Sequence, residues 1–570
     1  MQMTRVLTIA VLGAAAAAGW AAPGAAADDR FEVLLRGSHA AAAHASAAGA
    51  VLARAGARRA GPRVPEIGLE TVAPPPGGSV AKLLRALRGD PRVRAVYPVQ
   101  RLSLRAVPND PALAQAEGAP GTPAGTVLQW PYVREGLDRL WDISHGDGAL
   151  VGLIDTGTSG GHPDLAGKIA AGVDQNGDDN LPPDVDTDGH GTHVGSLACG
   201  AVGNGAGIAG AGGNCGLVVE RTDLTNTSVA ASIVDATNRG VQAINLSLGG
   251  PGGRPPDGAF VSAIDYAYQH NVVVVAAASD FAGTDQGQPA SLLQPTGTGP
   301  DLSSPEIKGL SVTAASFGDG PSGGGSGSQI SLAAYGSFSP FDSGGGGPRG
   351  LVGAFPPTTI AREQIDFSVF PPRAPCGCRT SVGGDNRFGY LQGTSMATPQ
   401  VAGVAAVVRV LNPLLSAAEV IRLLKQTARR PPGTGWTPAL GWGILDGGAA
   451  ADAARRIDRQ APTSRLRAPH VAKTRRFILR WSGGDPSGAP ALVPSGIAFF
   501  DVYASRDGKR LHRIGHTTKR RISFTGRRGS SYRFFLVAVD RAGNREARPA
   551  RPKATTRVAA ASKPRKSPKR

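Results

Sequence analysis

Between residues 111 and 457, apolar runs too short for helices alternate with segments of helical periodicity. ALVGLID (149–155), VQAINLSLG (241–249) and VVVVAAA (272–278) read as strands, and a helix is expected from Phe260 to Gln269. TSMATPQVAGVAAVVRVLN (394–412) is long enough for a buried helix, ended by Asn412-Pro413. Along Val272 to Val275 and on through Ala276, Ala277 and Ala278 neither face is polar, so both sides of that strand must be covered. This alternation predicts an α/β domain, a doubly wound parallel sheet flanked by helices. Ligand sites in such sheets lie beyond the carboxyl ends of the strands, where Asp280 stands. A plainer reading makes Asp280 a cap for the loop or helix that follows.

The pattern changes on both sides. Upstream, FEVLLRG (31–37) reads as a strand and is followed by a loose Ala-, Arg- and Pro-rich stretch. SVAKLLRALRGDPRVRAVYPVQ then gives a helix capped by Ser79, a turn at Gly89-Asp90-Pro91 and a strand. Residues 28–105 are therefore a small α+β unit, and the domain that follows spans 106–457. Within it, residues 319–390 read as a Gly- and Pro-rich insertion of loop character. Downstream, at 461–556, RFILRWSG, IAFFDVYASRDG, RISFTG and SYRFFLVAVDRAGN alternate apolar with polar positions, which predicts an all-β sandwich. Residues 557–570 are expected as a basic, disordered tail.

Composition adds a compartment. MQMTRVLTIAVLGAAAAAGWAAPGAAADD has one Arg, an Ala-rich apolar core and a small-residue site at Ala25-Ala26-Ala27, so residues 1–27 read as a secretory signal. No other stretch reads as a span, so the mature form is expected to be secreted, extracellular and without a membrane segment. Four cysteines in an exported chain favour disulfides, with three possible connectivities. Cys199 with Cys215 is the favoured pair, leaving Cys376 and Cys378 bridged locally or free. The net charge of +18 is uneven: residues 111–454 hold 17 basic and 30 acidic side chains, residues 455–570 hold 30 and 6. An acidic catalytic body with a basic attachment module fits this better than a nucleic-acid enzyme does.

Three segments place a reactive side chain among glycines at the edge of an element: GLIDTG with Asp155, DTDGHGTHVG with His190, and LQGTSMATPQ with Ser395. Each alone has a plain reading, as a turn former, a structural histidine and a helix cap. Together they supply what acyl transfer requires: an acid to orient an imidazole, an imidazole to take a proton, and a hydroxyl beside free helix N–H groups. His193 lies one turn beyond His190, but the spacing is not the His-Glu-x-x-His of zinc hydrolases, and no catalytic metal is expected. DQNGDDNLPPDVDTD, with six acids from Asp174 to Asp188, is either a structural calcium site or a solvated acidic loop.

GLIDTG, GHGTHVG and GTSMATPQVAG, in the order Asp, His, Ser, resemble the three signatures of the subtilases, the subtilisin-like serine proteases. INLSLGG and VVVVAAAS are similar to their substrate-binding and oxyanion strands. The resemblance covers roughly residues 110–455. It implies a seven-stranded parallel sheet and an Asp155, His190, Ser395 triad hydrolysing polypeptides, with no cofactor in the chemistry and calcium in a structural role. Substrate would add beside Ser247, Leu248 and Gly249, with Ala276, Ala277 and Ala278 lining an open pocket. Residues 28–105 are similar to the family's inhibitory propeptide, removed between Gln100 and Val107. The last domain is similar to fibronectin type III or immunoglobulin-like modules, with Trp481 as core tryptophan and Tyr532 as corner tyrosine. Its charge suggests an anionic cell-wall or surface polymer as partner. The chain is expected to be a monomer.

Two positions depart from the family pattern. Gln400 stands where a histidine is usual, and Asp280 stands where an Asn amide normally donates to the oxyanion alongside Ser395. An ionised carboxylate cannot donate, and losing that donor typically lowers the rate by about 10² to 10³. A protonated Asp280 can still donate. The alternative is an exported pseudoprotease or binding protein impaired by Asp280.

Overall fold

The structure is a computed structural model that describes residues 30–36, 41–76, 78–99, 108–175, 181–341, 343, 345–364, 376–430, 435–486 and 492–560. The signal (1–27), the expected cleavage segment (Gln100–Val107), Asp178, Asp179 and the end of the basic tail lie outside the described residues. The chain forms two compact units, residues 1–106 and 107–570.

In the first unit a four-stranded antiparallel sheet runs in the order Arg58–Val64, Leu69–Ala73, Phe31–Leu35, Val93–Pro98. Phe31, Val33 and Leu35 on one face of the central strand pack with Val51, Leu83 and Leu87 from two helices. Ser79 caps the second helix by accepting the Lys82 N–H. The loose Ala-rich stretch is a helix, Ala41–Ala55: alanine's helix propensity and one buried face outweigh its weak amphipathic pattern.

The second unit is built on a seven-stranded parallel sheet. Its order is Leu332–Tyr335, Gly309–Ala315, Val273–Ala277, Ala243–Leu246, Leu150–Asp155, Gly216–Arg221, Ile169–Asp174. Val273 and Val275 enter the apolar layer shared with helices His190–Cys199 and Thr394–Leu411. Val274 and Ala276 enter the opposite layer, against Asn226–Asn238 and Gly258–Gln269. That two-sided burial explains the absence of a polar face in the sequence. Thr394–Leu411 is the described helix long and apolar enough to cross a membrane, and it is core.

The segment 319–390 is not simply loop. It contains the edge strand of the main sheet, Leu332–Tyr335, and an antiparallel sheet of Leu351–Ala354, Asp385–Leu391 and Arg379–Val382. Strands of four to seven residues among glycines carry too little periodicity to be seen in the sequence. Disulfides join Cys199 to Cys215 and Cys376 to Cys378.

After helix Gly447–Arg456 the chain enters a β-sandwich. A three-stranded sheet (Thr463–Arg467, Arg476–Gly484, Arg521–Thr525) faces a five-stranded one (Val471–Ala472, Ala554–Val558, Ser531–Asp540, Ile497–Arg506, His512–Thr517). Trp481 packs edge-on against Phe500 in the core at 5.9 Å, and Tyr532 Oη accepts the Arg527 backbone N–H at 2.8 Å. The tail begins later than the charge pattern implies, because Arg557 and Val558 belong to the last strand.

Candidate active site

Asp155 is the last residue of its strand and is 1% exposed. Its Oδ1 lies 2.8 Å from His190 Nδ1 and accepts the Thr156 N–H. Accepting from Nδ1–H fixes the tautomer that leaves Nε2 as the basic nitrogen. Strand and helix meet this closely because of glycine: a Cβ at Gly191 would lie 2.0 Å from the Gly157 carbonyl oxygen.

His190 opens its helix, and the turn before it is organised by acids. Asp186 Oδ1 accepts the Gly189 N–H, its Oδ2 accepts the N–H and hydroxyl of Thr192, and Asp188 accepts the His190 N–H at 3.2 Å. Asp188 also pairs with Arg362 at 2.6 Å, and Asp174 pairs with Arg221 at 3.2 Å. These members of the acidic run serve as caps and ion-pair partners. A different set of carboxylates converges elsewhere: one oxygen each from Asp458, Asp485 and Asp540 lie within 4.8 Å of one another.

His193 is fully buried, and its Nε2 bonds to the carbonyls of Leu351 at 3.0 Å and Gly389 at 3.2 Å. Burial pushes it down to about 3, so it is a neutral strut between helix and antiparallel sheet. Gln400 is likewise structural, donating to the carbonyls of Tyr335 and Met396.

Ser395 lies in the first turn of Thr394–Leu411, where backbone N–H groups have no intrahelical partner. Its hydroxyl donates to the Ser247 carbonyl at 3.1 Å, and the Ser247 hydroxyl donates back to the Ser395 carbonyl at 2.8 Å. The structure thus joins Asp155 to His190 and Ser395 to Ser247, with no hydrogen bond between His190 and Ser395. Leu248 is half-buried and Gly249 exposed beyond the strand. Ala277 and Ala278 are buried at the end of the neighbouring strand, while Ala276 packs into the layer away from the Ser395 helix.

Asp280 caps that helix from outside it. The residue as a whole is exposed, but its carboxyl turns inward: Oδ1 meets the Thr394 N–H at 2.7 Å and the Thr394 hydroxyl at 2.8 Å. Gly393 makes room, since a Cβ there would lie 3.1 Å from the carboxyl. The Thr394 hydroxyl also reaches the Ala278 carbonyl at 2.6 Å. One hydroxyl proton cannot serve two acceptors. Both contacts are satisfied when Asp280 is protonated and donates to Thr394 Oγ1. Burial of the carboxyl raises its pKa, partly offset by the Thr394 donors. The plainer sequence reading had the right chemistry on a different helix. Thr394 is the residue sequence reasoning passes over, and Asp186, read there as part of an acidic run, is a cap; a hydroxyl or acid next to a helix start is the signal.

The profile of the Subtilase family matches residues 146–443, more than half of the chain. Thermitase of Thermoactinomyces vulgaris is 29% identical over 334 residues, covering 58% of this chain and 94% of thermitase. A thermophilic serine proteinase of Bacillus sp. strain AK1 is 28% identical over 63% of this chain and 73% of its own length. Subtilisin DY of Bacillus licheniformis is 30% identical over 50% of this chain and 84% of its own length. With its parallel sheet and the motif-bearing residues at the carboxyl ends of the strands, the chain belongs to the subtilase family and is a serine-type endopeptidase.

Proposed function

We propose that this chain is a secreted endopeptidase in which Ser395 is the nucleophile, His190 the general base and Asp155 its orienting acid, made as a zymogen that removes residues 28–105 itself. The observation that carries this reading is the 2.8 Å Asp155–His190 bond, taken with a serine in the first turn of a buried helix. Substrate lies as an added strand along Ser247, Leu248 and Gly249, next to the carbonyl that now holds the Ser395 hydroxyl. For attack, that hydroxyl leaves Ser247 and gives its proton to His190 Nε2 as Oγ bonds to the scissile carbonyl carbon. The oxyanion that forms is met by the Ser395 N–H and by protonated Asp280, whose O–H turns to it from Thr394 Oγ1, and His190 then passes the proton to the leaving amine. Water, activated by the same imidazole, releases the acyl group. The residues need no cofactor for these steps, and calcium stays structural.

The basic sandwich attaches the enzyme to an anionic polymer of the cell surface. A fluorophosphonate probe should label the matured protein at Ser395, and Ser395→Ala expressed alone should accumulate with residues 28–105 attached. Labelling elsewhere, or normal processing of Ser395→Ala, contradicts the assignment. A reading as an inactive binding protein has one support, the acid at position 280, and the inward, hydrogen-bonded carboxyl weakens it.

A further inference from the structure

The three-stranded sheet of the sandwich carries its charge in an ordered way. Arg467 lies directly opposite Arg480, and Arg480 directly opposite Arg521, so three arginines form one row across all three strands. Strand spacing sets the steps of that row at about 4.8 Å. Arg465 and Arg476 stand on the same face, by strand alternation, on either side of the row. All five are exposed, and no acid or aromatic residue occupies that face. The side chains of Arg465, Arg467, Arg480 and Arg521 form no hydrogen bond or ion pair with the described residues; Arg476 donates to the Ser523 hydroxyl at 2.8 Å. The second sheet is handled differently: there Asp501 gathers Arg513, His516 and Arg545.

Like charges directly opposite one another on a sheet are destabilising. A row of three without an acid is therefore a feature that an external anion would relieve. Resting on the reading that this domain attaches the enzyme to an anionic surface polymer, we propose that the ladder Arg467, Arg480, Arg521, flanked by Arg465 and Arg476, is its binding surface, and that the polymer is a phosphodiester chain without bases. The charge complementarity is specific in kind. The charged groups of the face are all guanidinium groups, whose planar forks bind phosphate oxygens in pairs. A phosphodiester carries its charge in the backbone itself, so a flat sheet can bind successive charges without a pocket for side groups. Single-stranded nucleic acid would want aromatic side chains on which to stack, and this face has none.

The test uses the full-length protein with poly(glycerol phosphate), polyglutamate and single-stranded DNA of matched charge, each titrated at low and physiological salt. Arg467→Gln/Arg480→Gln/Arg521→Gln should bind poly(glycerol phosphate) about 10-fold or more weaker than the parent, with a shallower salt dependence, because three of five phosphate contacts are gone. Its melting midpoint should not fall, since the change removes repulsion and no pairing. Arg528→Gln/Arg541→Gln/Arg548→Gln, which removes the same charge from other exposed positions, should stay within about threefold of the parent. Equal losses in the two variants would overturn the ladder while leaving attachment by overall charge intact. Tighter binding of polyglutamate or DNA would overturn the phosphodiester assignment. A parent protein that binds none of the three would overturn both the ladder and the attachment reading.

Discussion

Lys425 and Glu135 of the α/β body are fully buried, whereas Arg467, Arg480 and Arg521 of the sandwich stand in a row in solvent. The body holds an excess of acids and the sandwich an excess of bases, but what separates them is where charge is allowed to sit. Burial in the body changes protonation: Glu135 is pushed up to about 8, Lys425 down to about 7 and His193 down to about 3. In each, burial is the leading cause. An exposed arginine row keeps its charge and can only attract. The proposed chemistry falls in the first setting and the proposed attachment in the second.

The comparison can be broken at several strengths. Asp155→Asn should leave the fold intact yet lower kcat by roughly 10⁴-fold, because an amide no longer fixes the His190 tautomer; peptide hydrolysis after a matched melting curve measures this. Trp481→Ala should destabilise the sandwich by about 3 to 5 kcal/mol. Peptide kcat should be unchanged if the two settings are separable, so parallel activity and unfolding curves decide it. The smallest effect concerns Glu135, whose Oε1 accepts the Tyr335 N–H while Oε2 has no partner. Its folded pKa is raised, so its contribution to stability is full below about 4.5 and is lost as pH rises toward about 8. Glu135→Gln should flatten that decline in melting temperature, and a slope identical to the parent's would contradict it. Stripping zinc with a chelator should leave peptide hydrolysis unchanged; loss restored only by zinc would contradict a metal-free mechanism.

What could be read from sequence was whatever a short run of residues specifies. The Val272 to Ala278 strand, the helix ended by Asn412-Pro413, the Ser79 cap and the three glycine-flanked motifs are local signals. Residues that act across the fold are not. Asp280 reaches Thr394 over 114 positions and Arg362 reaches Asp188 over 174, and no spacing rule connects either pair. The same holds for the arginine ladder, where a net charge was visible but its alignment depends on strand register. The strand Leu332–Tyr335 lies in Gly-rich sequence, and its form comes from distant partners: pairing with Gly309–Ala315 on one side and bridges to Gly441 and Ile444 on the other.

The proposed oxyanion role requires Asp280 to be a neutral donor, because an ionised acid would oppose catalysis, and the pH profile of Asp280→Asn tests that requirement. In the parent, activity should fall as pH rises and Asp280, whose pKa burial raises, loses its proton. Asp280→Asn supplies a permanent donor. It should raise peptide turnover at alkaline pH by roughly 10- to 100-fold and exceed Asp280→Ala at every pH. An Asp280→Asn enzyme no faster than the parent at alkaline pH, with fold and Ser395 labelling intact, would show that Asp280 only caps the Ser395 helix.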